Sequence, residues 1–490
     1  MDMEFFDRME RKIPRGEVRT RFAPSPTGYM HVGNLRTALY TWCIARHAGG
    51  KFILRIEDTD QNRLVEDAVS IIYKTLTDCG LDWDEGPDKG GPVAPYIQTE
   101  RRDLYLPYAQ LLVERGHAYY CFCEKAESEE DSGEFGRAKD PCRCMAADEV
   151  RRHLDAGDAY VIRQRIPEEG TTTFHDEIFG DVTAPNKDLD DQVLIKRDGL
   201  PTYNFANVID DHLMGITHVV RGSEYLSSAP KYNLLYEGFG WDVPSYVHCS
   251  PVMRDEHHKM SKRHGDPSYE DLLEQGYLRE AIVNYVALLG WSPRGEREIY
   301  NIRELAEAFD MAGISKSQAI FDIDKLRYFN SEYIRAMAPE KFAAVAEPYI
   351  RQAVKNPAID PAAIASLLQQ RTEQLTDIPE KLGFFDALPE YENTLYVHKK
   401  SKTTEEIALD MLQKALPALE AVADWNTDSV HDTLIDLAAA LGVKNATLMW
   451  PVRIAITGTA VTPGGAVEIA CILGKEECLR RMRDGIARLS

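Results

Sequence analysis

The sequence predicts an α/β fold, a Rossmann-type parallel-sheet domain that carries an insert and is followed by an all-helical rear half. Two observations support this prediction. The chain begins with a strand, a helix and a second strand, and strand character returns near His218 after a break in the pattern. Beyond about Glu270, helical periodicity dominates to the end. A strand–helix–strand unit implies a parallel sheet. The helix carries the chain back to the end of the sheet where the first strand began, so the second strand runs in the same direction.

Clear turn signals bound the opening unit. Residues Val18–Ala23 alternate as a half-buried strand does, and the run Pro24–Gly28 cannot continue that strand. Apolar residues from Val32 to Arg46 recur at helical spacing, and Gly49-Gly50 ends the helix. Lys51–Ile56 then predicts the second strand. The unit is typical of a sheet that binds a nucleotide.

The remaining elements follow the same two periodicities. Helices are predicted before the insert at Val65–Cys79 and Arg101–Gly116, and in the rear half at Arg279–Leu289, Glu340–Val354 and Glu405–Val422. Short apolar runs predict strands at Tyr160–Arg165, Gln192–Lys196, Val208–Ile209 and His218–Arg221.

Composition indicates a cytoplasmic protein without a membrane partner. The chain has 490 residues, of which 44% are hydrophobic and 28% charged. We find no apolar run long enough to span a bilayer, and Met1–Gly16 lacks the apolar core of a secretory signal. The net charge of −22 argues against a polyanionic ligand, but a local basic face could still bind one.

The turn between the first strand and its helix predicts a phosphate site. Free backbone N–H groups and the positive end of a helix favour an anion there. Gly33 lets the backbone approach a ligand closely, and His31 and Asn34 add potential donors. A tight βα turn with a polar cap explains the same residues equally well. The candidate nucleotide-binding residues of this turn are Pro24, Thr27, Gly28, His31, Gly33 and Asn34.

A second candidate segment is strongly basic. Three cations occur within five residues, flanked by histidines, in the run Lys259, Met260, Ser261, Lys262 and Arg263. A cationic loop can close over a triphosphate and neutralise the charge that develops on leaving pyrophosphate. Such a run alone is usually a solvated basic loop. The two segments together, in this order, are much more specific than either one.

Four of the nine cysteines cluster, which suggests a metal. Cys121, Cys123, Cys142 and Cys144 form two C-x-C pairs in a block poor in apolar residues. Four thiolates suit a tetrahedral Zn²⁺, which would stabilise a loop that has little core. With no position left open the zinc would be structural. The alternative is four reduced thiols.

The motifs together resemble class I aminoacyl-tRNA synthetases of the bacterial glutamyl type. The resemblance extends over nearly the whole chain and departs mainly in a leader of about sixteen residues before Arg21. The motifs that carry it are Arg21–Gly28 with His31–Asn34, Arg55–Asp60, Asp84–Pro87, Pro201–His212, Lys259–Arg263, and the tail from Thr457-Gly458 to Leu473–Lys475.

This resemblance implies L-glutamate, ATP, Mg²⁺ and tRNA(Glu) as ligands, and a monomer is expected. It implies a glutamate pocket at Arg21, Ala23, Ser25, Glu57, Tyr203, Asn207 and Arg221. Forked guanidinium donors suit the two acids of the substrate, and Glu57 suits its ammonium. His31 and Asn34 are assigned to ATP, and Lys262, helped by Lys259, to the transition state. Zinc in the insert is known in some relatives, with Cys144 here in the fourth position.

The resemblance also implies how the chain is divided into functional domains. Residues 1–98 and 201–253 would form the catalytic domain, 99–200 an inserted acceptor-binding domain, 254–335 a stem-contact domain with the basic loop, and 336–490 an anticodon-binding region. Candidate RNA contacts are Arg254, Lys316, Lys325, Arg327 and Arg335, although such residues are usually plain solvated surface.

Several alternatives remain open from the sequence. A glutaminyl enzyme usually ends in β-barrels, and the short enzyme that glutamylates a modified tRNA base lacks the rear half. A non-synthetase nucleotidyltransferase should lack both the helical tail and the two-arginine, one-glutamate pocket. A catalytically inactive tRNA-binding protein does not need the intact basic loop. Whether tRNA(Gln) is also charged is not decided.

Overall fold

The structure is a computed structural model that describes residues 3–60, 65, 67–123, 140–260 and 265–490. The chain divides into two compact units. Unit 1 comprises Met1–Leu272 and Ile282–Ile323, and unit 2 comprises Leu273–Ala281 and Asp324–Ser490. Among the helices of the described residues, none is both long and apolar enough to cross a membrane.

A six-stranded sheet is the centre of unit 1. The strands of the described chain are β1 (Arg19–Phe22), β2 (Lys51–Leu54), β3 (Ala118–Cys121), β4 (Val161–Gln164), β5 (Thr171–Asp176), β6 (Gly180–Pro185), β7 (Val193–Ile195), β8 (His218–Gly222), β9 (Ser245–Cys249), β10 (Val252–Met253) and β11 (Ala319–Ile320). The large sheet has the order β2-β1-β8-β9-β5-β6, and only the β5–β6 pair in it is antiparallel. Two smaller sheets join β3-β4-β7 and β10-β11.

Helices cover the sheet and continue into unit 2. The first ten are α1 (Met3–Glu10), α2 (Val32–His47), α3 (Ala68–Asp78), α4 (Arg102–Glu114), α5 (Ala147–Ala156), α6 (Tyr203–Leu213), α7 (Ala229–Phe239), α8 (Tyr269–Glu274), α9 (Arg279–Ala287) and α10 (Ile302–Ala308). The others are α11 (Ile323–Ala336), α12 (Pro339–Ala353), α13 (Pro361–Leu368), α14 (Glu405–Glu420), α15 (Thr427–Ala440), α16 (Asn445–Thr457), α17 (Ala466–Leu473) and α18 (Lys475–Leu489).

Unit 2 is helical and has its own apolar core. Its helices α12 to α18 contribute buried side chains to one cluster, among them Phe342, Leu412, Leu448 and Met482. The predicted all-helical rear half is therefore confirmed, as is the mostly parallel α/β front. The four-part division by function remains a prediction.

Two details of the sheet differ from the sequence prediction. Val208 and Ile209 do not form a strand, because they lie on the buried side of α6, where β-branched residues pack as well as in a strand. The insert is also not separate from the main sheet. Its hairpin β5–β6 extends that sheet beyond β9, with Asp176 in register with Tyr246.

The N-terminal leader docks on unit 1. Phe6 of α1 is buried, and its ring meets that of Tyr108 edge-on with centroids 5.0 Å apart. At the other end of the leader helix, Glu10 Oε1 lies 2.7 Å from His212 Nε2. The His212 ring stacks on Trp241 at 3.6 Å between centroids. The leader thus contacts α6 at the end opposite Tyr203.

Candidate active site

The predicted pocket residues converge at the carboxyl ends of the parallel strands. Arg21 lies near the end of β1, Glu57 follows β2, and Arg221 lies near the end of β8. This edge of a parallel sheet is where ligands bind in such folds, because the loops there diverge from a point where the strand order reverses. Here β1 lies between β2 and β8.

Two arginines share one buried carboxylate oxygen. Arg21 Nε and Arg55 Nη1 donate to Asp211 Oδ1 at 2.9 and 2.7 Å. All three side chains are almost fully buried. Burial alone would raise the pKa of Asp211, but Arg21 and Arg55 hold that pKa below its usual value. Asp211 is therefore ionised and fixes the direction of both guanidinium groups.

Glu57 lies beside this cluster. Arg55 Nη2 donates to Glu57 Oε1 at 2.8 Å, and the Glu57 backbone N–H donates to the carbonyl of Pro24 at 3.1 Å. Burial raises the pKa of Glu57 although Arg55 and Arg21 act against it. Glu57 is thus a desolvated carboxylate whose charge a cationic ligand would stabilise.

Tyr203 and Asn207 occupy the first turns of α6, on one side, as their spacing predicted. The Asn207 amide donates to the Tyr203 carbonyl at 3.0 Å. Burial raises the pKa of Tyr203 well above its usual value, and Glu57 adds to that effect. Tyr203 is therefore a neutral hydrogen-bond donor beside Glu57.

Arg221 lies in an aromatic cage. Its guanidinium carbon is 4.6 Å from the ring centroid of Tyr232, 5.2 Å from that of Tyr225 and 5.3 Å from that of Tyr246. Its Nη2 is buried and has no hydrogen-bond partner among the described residues. A buried donor without an acceptor is costly, so this atom indicates an anionic ligand.

The smaller pocket residues lie in the turn after β1. Ala23 is half-buried and Ser25 is exposed. The turn then passes through exposed Thr27 to Gly28, whose φ of +113° favours glycine. The Pro24 carbonyl accepts the hydrogen bond from the Glu57 backbone N–H.

His31 is the N-cap of α2. Its Nδ1 accepts from the backbone N–H groups of Gly33 at 3.1 Å and Asn34 at 3.3 Å. The neutral ring then carries its proton on Nε2. A Cβ at Gly33 would lie 3.0 Å from His31 Cε1, so a larger residue there would require the ring to shift. Asn34 is exposed at the start of the helix.

The basic segment is described only in part. Lys259 is exposed and pairs with Met253 of β10 through an antiparallel bridge, and the Met260 N–H donates to the Val252 carbonyl at 3.1 Å. These two contacts attach Lys259 and Met260 to β10. The predicted loop residues Ser261, Lys262 and Arg263 lie outside the described residues.

The cysteine cluster differs from its prediction at one position. Ligating atoms of Cys121, Cys123, Cys142 and Asp140 all lie within 4.8 Å of one another. Cys144, predicted as the fourth ligand, is exposed and not in this group. The reason is the 3₁₀ turn Pro141–Cys144, in which side chains two positions apart diverge.

The donor set fits zinc. Sγ of Cys123 and Sγ of Cys142 are 3.6 Å apart. Zn–S bonds of about 2.3 Å in a tetrahedron require sulfurs about 3.8 Å apart. The Asp140 carboxylate is held in place by the Cys142 backbone N–H at 2.9 Å. A metal would convert these neighbouring thiols to thiolates.

Three residues that contact the predicted site residues had no role assigned from the sequence. Arg55 and Asp211 stood in recognised motifs, but no role was assigned to them, and their shared contact joins residues 156 positions apart. Asp140 was not predicted as a metal ligand, because the four nearby cysteines already formed a complete tetrahedral set. Of the candidate RNA contacts, Arg254 pairs with Asp266, Arg327 with Asp377 and Arg335 with Glu332. These pairs fit ordinary surface as well as an RNA site.

Two family models match the chain. The model described as "tRNA synthetases class I (E and Q), catalytic domain" matches residues 17–328. The model described as "Anticodon binding domain" matches residues 335–486. Together they cover both units.

Curated relatives and solved structures agree with these models. Proteins named glutamate–tRNA ligase from Clostridium botulinum and Clostridium tetani are each 56% identical to this chain. Each match covers 96% of this chain and 99% or 98% of the relative. The crystal structure of a glutamate tRNA ligase from Elizabethkingia meningosepticum in complex with its amino acid has a TM-score of 0.87 and 33% identity, covering 97% of this chain and 100% of that one.

Proposed function

Because the chain belongs to the class I tRNA synthetases for glutamate and glutamine, and within them to the glutamate–tRNA ligases, we propose that the buried cluster around Arg21, Glu57 and Arg221 is its glutamate site. The enzyme activates L-glutamate with ATP, releases pyrophosphate, and transfers the glutamyl group to the 3′ end of tRNA(Glu). The observation that carries the site is the unpartnered Nη2 of buried Arg221.

The charge of the cluster supports glutamate over glutamine. The guanidinium groups of Arg21 and Arg55 pair with the carboxylates of Asp211 and Glu57, whereas the guanidinium of Arg221 contacts the His248 imidazole and three tyrosine rings. Glutamate carries a net charge of minus one near neutral pH, and glutamine carries none. Arg221 therefore favours a ligand with a second carboxylate, because its buried Nη2 otherwise stays without an acceptor.

Each pocket residue has a role that follows from its chemistry. Arg21 and Arg221 bind the two carboxylates of the substrate. Glu57 binds its ammonium through Oε2, because Arg55 donates to Oε1. Tyr203 and Asn207 orient the substrate from one side of α6, and Ala23 and Ser25 from the turn after β1. The α-carboxylate is already a nucleophile, so the site contributes mainly alignment and charge neutralisation.

ATP would occupy the turn and the basic loop. The proposed contacts are Pro24, Thr27, Gly28, His31, Gly33 and Asn34 on one side and Lys259–Arg263 on the other. The His31 ring, which caps α2, would contact a phosphate or ribose oxygen. Mg²⁺ would lower the charge repulsion within the triphosphate. Lys262, with Lys259, would stabilise the charge on the leaving pyrophosphate.

The Cys121, Cys123, Asp140 and Cys142 group would hold a structural zinc, which closes a small sheet that has little core. The anticodon-binding match supports recognition of a whole tRNA and disfavours a plain nucleotidyltransferase. A non-discriminating enzyme that also charges tRNA(Gln) stays the alternative. A monomer in the cytoplasm remains a prediction from the sequence.

Amino-acid-dependent pyrophosphate exchange tests the site. We expect Arg221→Lys to raise the KM for glutamate by about tenfold or more while the KM for ATP stays within about twofold, because lysine offers a point charge and no fork. An unchanged KM for glutamate would refute the proposed pocket. Charging of purified tRNA(Glu) and tRNA(Gln) with glutamate separates the two specificities.

A further inference from the structure

A buried chain of three side chains ends at Arg221. Arg221 Nε donates to His248 Nε2 at 3.0 Å, and His248 Nδ1 lies 2.6 Å from Asp176 Oδ2. His248 and Asp176 are fully buried, and Arg221 is 6% exposed. The three residues come from β8, β9 and β5, so three neighbouring strands of the main sheet contribute one each.

The contacts determine the protonation state of His248. Arginine can only donate, so His248 Nε2 must accept and carries no proton. The proton of the neutral ring is then on Nδ1, which donates to the Asp176 carboxylate. A doubly protonated ring would set an N–H against the Arg221 N–H and break the chain.

Asp176 is itself rigidly held. Its Oδ1 accepts from the backbone N–H groups of Ile178 at 2.9 Å and Phe179 at 2.8 Å, and its Oδ2 also accepts from the His248 N–H at 3.1 Å. Four donors therefore fix the Asp176 carboxylate. The carboxylate orients the His248 imidazole, and the imidazole orients the Arg221 guanidinium. Strand register supports this, because Arg221 and His248 are directly paired in β8 and β9.

We infer that Asp176 and His248 are positioning residues that aim Arg221 at a substrate carboxylate, so that the inserted hairpin sets the preference for glutamate. The inference rests on the proposed glutamate site. The cage rings of Tyr225, Tyr232 and Tyr246 contact the guanidinium but offer no in-plane hydrogen-bond acceptor to it. The His248 acceptor binds Nε and so fixes the orientation of the guanidinium while Nη2 stays without an acceptor. Neither residue touches the reacting atoms.

The test compares substitutions of His248 in pyrophosphate exchange. His248→Phe keeps a ring but removes both nitrogens, whereas His248→Gln keeps an acceptor near the position of Nε2. We expect His248→Phe to raise the KM for glutamate by about tenfold with the KM for ATP within about twofold, and His248→Gln to recover most of that loss. His175→Phe is the matched control, because His175 lies next to Asp176 in β5 but is exposed.

Two results would overturn the inference. One is equal loss in His248→Phe and His248→Gln, and the other is a parallel rise in the KM for ATP, since both indicate a purely structural role. The Arg221→Lys variant shows whether the positioning role alone is wrong or the proposed glutamate site is wrong as well. If Arg221→Lys raises the KM for glutamate and His248→Phe does not, only the positioning role is wrong.

The pH dependence of the KM for glutamate, compared between the wild type and His248→Gln, gives a second readout that a purely structural role would not change. The groups that face His248 are Asp176 on β5, Arg221 on β8 and Glu224 after it. Protonation of His248 should raise the KM for glutamate as the pH falls, and His248→Gln should remove that part of the profile. Glu57 titrates in both proteins, so only the difference between the two profiles counts. Identical profiles would contradict the inference.

Discussion

Asp211 and Arg21, 190 positions apart in the chain, meet in a buried ion pair of 2.9 Å beneath the proposed substrate site. The same carboxylate oxygen accepts from Arg55, which in turn binds Glu57. The orientation of the two groups that would hold opposite ends of glutamate therefore depends on one side chain. Pairing of this kind is easily lost, because removal of one partner leaves an uncompensated buried charge.

Asp211→Asn should lower both stability and glutamate affinity. The neutral amide cannot balance two guanidinium groups, and we expect a loss of about 3–5 kcal/mol in the free energy of unfolding. The kcat/KM for glutamate should fall by about tenfold or more as Arg21 loses its direction. Asp210→Asn is the matched control, because Asp210 holds Arg101 and Tyr105 instead of Arg21. Similar KM values in the two variants would contradict this role.

The leader helix should stabilise unit 1. Phe6→Ala removes a buried ring that contacts Tyr108 and should cost about 3–5 kcal/mol in the free energy of unfolding. Met3→Ala on the same helix should have little effect, since Met3 is 55% exposed. Urea unfolding of the two variants, with the wild type alongside, measures the difference. Equal midpoints would show that the leader does not contribute.

Zinc content should distinguish the two candidates for the fourth ligand. We expect Cys142→Ser and Asp140→Asn to lower the bound zinc measured by atomic absorption, because both residues belong to the compact donor group. Cys144→Ser should retain zinc, since its thiol is exposed and outside that group. Loss of zinc in Cys144→Ser with retention in Asp140→Asn would restore the assignment made from the sequence. Chelator treatment should lower the thermal midpoint of the wild type.

Stability should fall on the acid side of neutrality. Burial lowers the pKa of His212, His218 and His248 below the usual value of 6.5. The unfolded chain then binds protons that the folded protein does not. The stabilisation is fully present above about pH 6.5 and is lost as the pH falls through that value towards the lower folded pKa values. Each histidine contributes at most about 1.4 kcal/mol per pH unit in this window.

Denaturant unfolding at pH 7.5 and pH 5.5 measures this effect. His212→Phe should reduce the dependence, because it removes one titrating group and keeps a ring that can stack on Trp241. His431→Phe is the control, since His431 is exposed. A wild-type stability that rises on acidification would be incompatible with buried neutral histidines.

Local patterns in the sequence predicted the class of fold, and the resemblance to the glutamyl-type synthetases implied the residues of the proposed pocket. The strand–turn–helix at Val18–Arg46, the return of a strand at His218 and the helical rear half all appear where periodicity predicted them. The pocket arginines, Glu57, Tyr203 and Asn207 also lie together. Period and turn chemistry are local properties, so a single sequence contains them. The strand prediction at Val208–Ile209 was wrong, because two apolar β-branched residues fit the buried side of a helix as well as a strand.

Only the tertiary structure decided which side chains hold the pocket residues in place. Asp211 under Arg21, and Asp176 behind His248 and Arg221, come from segments far apart in sequence, and their pairing depends on strand order and register. The presence of Asp140 in the compact donor group, and the absence of Cys144 from it, depend on the direction of side chains in one short 3₁₀ turn. Residue type tells which chemistry is possible. Which charges meet, and which stay unpaired in the absence of substrate, follows from how the strands pack.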